Sequence, residues 1–311
     1  MNCPIPTMKK YFLLLLLCTT QLVYAQGINV ENRLSDTIPF TLTDYNNIAV
    51  QAILNGQDTV SLMFHTAANF LTLTEEGVKK TKSIQFAGTT DSIKSWGGQD
   101  NSARFSKSNA LQIGGLQWKN VALWENKYSG QYTDGKCGID LFDKKVIEID
   151  FDKKIIVLYQ KLPAKTGHYE KLALRVRNEE LFLEADCVIG EYKFRHPFLI
   201  HSGYAGALLL DDQFASDNKL GEQLKITGEK QLKDSYGNIL RVKKAILPQL
   251  QLGKQVLPNV PAGFFEGAMG AQKVSIMGGD VLKRFNIIID AERAYVYLKP
   301  NSLKTSDYLN K

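Results

Sequence analysis

Gly138-Ile139-Asp140-Leu141-Phe142, leading to Ile147-Glu148-Ile149-Asp150, is written a second time as Gly278-Gly279-Asp280-Val281-Leu282, leading to Ile287-Ile288-Ile289-Asp290. In both copies the first glycine and the closing aspartate are twelve positions apart, and an alternating stretch follows, Ile155 to Tyr159 and Ala294 to Leu298. Moving upstream, Leu111-Gln112-Ile113-Gly114 is followed by five residues and Asn120-Val121; Leu250-Gln251-Leu252-Gly253 is followed by five residues and Asn259-Val260. Further upstream still, Phe64-His65-Thr66-Ala67 with Leu71-Thr72-Leu73 parallels Ile200-His201-Ser202-Gly203 with Ala207-Leu208-Leu209. Between the last two landmarks each half carries an aromatic-glycine turn, Trp96-Gly97-Gly98 and Tyr236-Gly237-Asn238. Ordered landmarks at matching spacings identify a tandem duplication.

Within each copy the pattern has a period of two, which marks strands with one face buried. Ile48 to Leu54, Thr59 to Phe64, Phe105 to Ile113, Val146 to Phe151, Leu181 to Ile189, Lys193 to Ile200 and Val242 to Leu252 all read as strands. Asn55-Gly56, Ile189-Gly190 and Gly237-Asn238 supply hairpin turns. Short helical turns are expected after Gly138 and Gly278, where the alternation breaks. The two lobes are placed at residues 26–165 and 166–311, with the junction at Thr166 to Lys171.

The chain has 311 residues, 44% apolar and 23% charged, and a net formal charge of +6. That composition excludes wholesale disorder. The charges are scattered without a basic block interleaved with aromatics, so nucleic-acid binding is not expected. Lys9 and Lys10, the apolar run Tyr11 to Cys18, and Val23-Tyr24-Ala25 predict an export signal over residues 1–25 and a periplasmic or extracellular protein. Lipid attachment at Cys18 is disfavoured by Leu17, where a small residue is expected. No later stretch is apolar and long enough to span a membrane. Of the remaining cysteines, Cys137 and Cys187 are expected as buried free thiols rather than a bridge.

This order of elements resembles the retropepsin and pepsin superfamily of aspartic proteases, particularly its single-chain bacterial members with two similar lobes. The resemblance covers about Phe40 to Pro300 and rests, in each half, on a hairpin entering an apolar-apolar-D-[ST]-G loop, a flap-like hairpin and a late apolar-x-Gly loop. It implies an all-β bilobal fold of two similar β-barrel lobes with a deep cleft between them. In the family each lobe gives one aspartate, and the two share a proton and activate water. The resemblance places His65 and His201 at those two positions. Thr66 and Ser202 keep the hydroxyl that in the family bonds across to the opposite loop; Gly203 keeps the glycine, which Ala67 replaces. Trp96, Gly97, Tyr236 and Gly237 fall at the flap tips.

Three readings of the histidine pair follow. Catalysis is lost and the imidazoles fill the old site, hydrogen-bonded to Thr66 and Ser202. They hold a transition metal, although no further ligand is fixed nearby in the sequence. Or they form a base and acid pair, whose first proton should bind readily and whose second should be resisted. Asp140 and Asp280 are expected to cap the helical turns that follow them rather than to act as acids. Ser61, Ser202 and Ser235 lack the G-x-S-x-G context of a serine hydrolase. The sequence therefore predicts an exported, monomeric, protease-like protein without a cofactor, inactive in catalysis and holding a peptide or protein in its cleft. The alternative is an active hydrolase with a rebuilt dyad.

Overall fold

In the first half, ten strands follow one another: β1 (Ser35–Leu42), β2 (Ile48–Leu54), β3 (Asp58–His65), β4 (Leu71–Thr74), β5 (Gly88–Ser95), β6 (Gly98–Ile113), β7 (Leu116–Asn126), β8 (Gly135–Gly138), β9 (Val146–Asp150) and β10 (Ile155–Tyr159). The second half repeats them as β11 (Glu170–Arg177), β12 (Glu180–Ile189), β13 (Tyr192–His201), β14 (Leu208–Leu209), β15 (Lys225–Lys233), β16 (Ile239–Leu252), β17 (Gln255–Phe264), β18 (Ile276–Gly278), β19 (Phe285–Ile289) and β20 (Tyr295–Pro300). The computed structural model describes residues 35–95, 98–235, 239–264 and 273–309. Residues 1–25, expected as an export signal, and the expected flap-tip residues Trp96, Gly97, Tyr236 and Gly237 lie outside them.

Pairings repeat as faithfully as the strands. In the first half β2 pairs with β3 and β6, β3 runs parallel to β8, and β4 runs parallel to β7 and antiparallel to β8. The second half has the same set, β12 with β13 and β16, β13 with β18, and β14 with β17 and β18. Alternation drives this. In β12, Leu181, Leu183, Ala185, Cys187 and Ile189 are buried, while Glu184, Asp186 and Val188 between the later ones are less so. Gly114 and Gly253, and Asn120 and Asn259, all adopt left-handed backbone (φ 59° and 58°, 59° and 52°). Residue types that tolerate that region occupy matching places in both copies, the glycines in turns and the asparagines inside β7 and β17 where the pairing register skips.

A central sheet joins the halves in the order β1, β10, β9, β19, β20, β11. Its middle pair, β9 with β19, sets Glu148 opposite Ile288 with Ile147 and Ile149 facing Ile289 and Ile287. The four isoleucines join the main core, whereas Val146, Ile288 and Tyr297 pack on the other face. Glu148 is on that other face and fully buried. It is balanced by Lys165 Nζ at 2.6 Å and by the Tyr159 hydroxyl, which donates to Oε2 at 2.7 Å. Tyr159→Phe removes one of these two partners and should cost about 1–2 kcal/mol in urea unfolding. An unchanged midpoint would mean that solvent replaces the hydroxyl.

Asp150 and Asp290 close their strands as expected, accepting from Lys153 N at 3.0 Å and Tyr295 N at 3.0 Å. Helical turns do follow the late glycines, at Ile139–Phe142 and Gly279–Leu282. The capping role expected for Asp140 and Asp280 is corrected. The N-caps are Gly138 and Gly278, without a side-chain hydrogen bond. Asp280 is 1% exposed and instead meets Lys283 Nζ at 2.8 Å and accepts from Leu309 N at 2.7 Å. Asp140 is exposed. Cys137 and Cys187 are free and buried, and burial pushes both thiols up to about 12. No helix among the described residues is long and apolar enough to cross a membrane.

Candidate functional site

β3 ends at His65 and β13 at His201, and each strand runs parallel to a short neighbour ending in a late glycine, so that His65 pairs with Gly138 and His201 with Gly278. Those glycines are required by space. A Cβ on Gly138 would lie 2.0 Å from Ala68 O, and one on Gly278 would lie 2.2 Å from Gly206 O. The chain can therefore fold back tightly after each histidine.

The two loops meet through a reciprocal set of hydrogen bonds. Thr66 Oγ1 donates to Ile200 O at 2.6 Å and accepts from Ser202 N at 3.0 Å. Ser202 Oγ donates to Phe64 O at 2.7 Å and accepts from Thr66 N at 3.0 Å. Both side chains are about fully buried, at 1% and 2% exposure. Further out, Asn46 Nδ2 donates to Ala205 O at 2.8 Å, and Asn69 Nδ2 to Glu179 Oε2 at 2.9 Å. Hydroxyls that the first reading assigned to the imidazoles are thus spent on backbone of the opposite half.

The imidazoles themselves face each other, with ring centroids 4.5 Å apart and planes at 59°. His65 Nδ1 accepts from Ala67 N at 3.1 Å, which puts the proton of the neutral ring on Nε2. Its ring lies over Gly203, where a Cβ would come within 2.4 Å of Cδ2 and Nε2. Ala67 carries a methyl at the matching place, so the rings cannot sit alike. His65 is buried, His201 is only partly so, and among the described residues His201 Nδ1 is enclosed without a hydrogen-bond partner.

Burial holds His65 well below the usual imidazole range, assisted by His201 and the Lys136 ammonium. Burial, then Lys136, brings His201 down to about 4. The expectation that a first proton binds readily is therefore corrected: the site is desolvated, and its nearest charge is positive. Lys136 was missed in the sequence. It lies on β8, burial lowers it to about 8, and its Nζ reaches Ser235 Oγ at 3.4 Å. Ser235 belongs to the turn after β15, and its carbonyl accepts from Lys127 N and Tyr128 N, both at 2.9 Å. The second half's flap-like hairpin thus reaches across to the first half.

No family model matches the chain, and no curated protein does. Among solved structures it is similar to the crystal structure of aspartic proteinase from Irpex lacteus, with a TM-score of 0.56 at 12% identity, over 88% of this chain and 99% of that one. The chain has an aspartic-proteinase fold. At this identity the likeness speaks for the all-β, bilobal architecture alone.

Within that fold the other histidines stand apart. His196 Nε2 pairs with Asp211 Oδ2 at 2.8 Å and stacks on Phe214, and Asp211 also caps the helix Asp212–Asp217. His168 is exposed. It lines a concavity of about 230 Å³ with Glu148, Lys165 and Tyr169 beneath the central sheet, where ion pairing explains the charges. Among the described residues no group of three His, Cys, Asp or Glu side chains is placed to hold a metal ion.

Proposed function

We propose that His65 and His201 stand where aspartic proteases carry their catalytic aspartates, and that this exported, retropepsin-like protein binds a peptide or protein segment in its cleft without cleaving it. One observation carries the reading: the two rings stand 4.5 Å apart where the family sets two carboxylates, and among the described residues no carboxylate is among the charges that perturb either, while burial holds both below the usual imidazole range. The aspartic mechanism needs two carboxylates sharing one proton, so that one takes a proton from water while the other gives one up. A rebuilt histidine dyad would need an acid poised near the working pH. With His201 at about 4 and His65 also lowered, neither ring is an imidazolium that can act as the acid at neutrality. The retained lock between Thr66 and Ser202 supports a cleft kept in shape for binding.

The test is the mature protein incubated with a broad peptide library at about pH 3 to 8 and read by mass spectrometry. No new peptide termini are expected, and inhibitors that set a hydroxyl between two carboxylates should leave the melting temperature unchanged. Cleavage that disappears in His65→Ala would overturn the inactive reading.

A further inference from the structure

Lys136 is the odd member of its set. Its counterpart in β18, one residue before Met277 as Lys136 is before Cys137, is the apolar Ile276. Strand register places Lys136 opposite Met63, two residues before His65. Among the described residues no acid pairs with it, and its one polar contact, Ser235 Oγ at 3.4 Å, is too long to be a strong hydrogen bond. Lys136 is part-buried, and an ammonium partly withdrawn from water without a counter-charge is costly; such groups cluster at sites where a ligand or reaction uses them. No negative group offsets it nearby. His65 and His201 are two neutral imidazoles, and among the described residues His201 Nδ1 is enclosed with no partner. On the second half's side, Lys230 Nζ meets the Tyr204 hydroxyl at 3.1 Å, and Tyr204 N bonds His201 O at 3.1 Å. Burial and Lys244 bring Lys230 down to about 8, with no acid opposing them.

We propose that the cleft is selective for acidic peptide segments, one carboxylate of which pairs with Lys136 beside His65 and His201. This rests on the peptide-binding reading above and names its ligand class. A carboxylate supplies the missing counter-charge, and its lone pairs can take the Lys136 hydrogens that Ser235 holds poorly. It displaces Lys136 from Ser235, which joins ligand entry to the contact between the hairpin and the first half.

The experiment is calorimetric titration of the mature chain with hexaglutamate, hexaglutamine and sodium glutarate at one fixed low ionic strength. Hexaglutamate should bind at least about tenfold more tightly than hexaglutamine. Lys136→Met should abolish that preference and Lys136→Arg should keep it. Lys153→Met, which removes a largely exposed lysine, should leave it unchanged and so exclude a general charge effect. Circular dichroism would verify that the variants fold. Equal binding of the two peptides, or a preference that survives in Lys136→Met, would overturn the proposal and leave peptide binding standing. Lys136-dependent binding of glutarate with no binding of either peptide would keep the carboxylate site and overturn the peptide reading. No binding by any of the three would overturn the acidic selectivity, and a neutral peptide that co-elutes with the protein from the same library on size exclusion would then still support the cleft.

Discussion

Thr66→Ala combined with Ser202→Ala is expected to lower the unfolding free energy by about 4–6 kcal/mol. Four backbone groups lose their partners at once: Thr66 N, Ser202 N, Phe64 O and Ile200 O. Each buried group left unsatisfied costs about 1–3 kcal/mol, and the lower end applies here because water enters where two hydroxyls leave. Either single change should cost more than half of the total, because removing one hydroxyl leaves the other with its own two contacts but loosens both loops. Thr66→Ser keeps the donor and acceptor and should stay within about 1 kcal/mol of the parent. Urea unfolding decides the matter. A double variant within about 1 kcal/mol of the parent would mean that the central sheet alone holds the halves together.

The second large effect is pH. Both imidazoles bind protons less readily in the folded chain than in the unfolded one, whose histidines titrate near about 6.5. Above that value both states are neutral and the full stability is present. As pH falls below it, the unfolded state gains protons that the folded state resists, so stability drops until the folded groups titrate. For His201 the gap between about 6.5 and about 4 corresponds to a loss on the order of 3 kcal/mol, and His65 acts in the same direction. Lys136 is positive throughout this window and works against a charge on either ring. His65→Asn with His201→Asn should remove this slope. Asp58, Asp152 and Asp211, whose carboxyls are held below the usual range, add their own loss at lower pH in both proteins, so the difference between the two isolates the histidines. Parallel curves from about pH 7 to 4 would refute the coupling.

Much of the architecture was legible because the sequence carries it twice. Gly114 and Gly253, or Asp150 and Asp290, constrain backbone in ways that survive divergence of their neighbours, and aligning them gives the strands between. The site was legible as a pair of loops, since register carries His65 and His201 to the same place in each half. What surrounds the pair was not. Spacing cannot tell that Thr66 and Ser202 turn to backbone rather than to imidazole, because both arrangements use the same residues. Asp140 and Asp280 match in sequence yet differ in setting, since residues 301–309 bring Leu309 onto Asp280. Lys136 was missed because it interrupts no motif. The mismatch with Ile276 was its one signal, visible only when the copies are compared position by position for what differs.

Glu148 opposite Ile288 has a consequence for how the chain can assemble. Apart from its partner, each half would leave the outer edge of one strand bare, β9 or β19, open to any strand of suitable pattern. Two copies of the second half could meet in the same register with Ile288 against Ile288. Two copies of the first half would bring Glu148 against Glu148, each with its own Lys165 and Tyr159, so two polar groups would meet where the native pairing sets an isoleucine. An edge with an apolar residue at that point suits β9 better, and β19 of the same molecule provides it. During synthesis the edge of the first half stays uncovered until the last strands emerge, and the polar Glu148 makes that edge a poorer match for a second copy of itself than for β19.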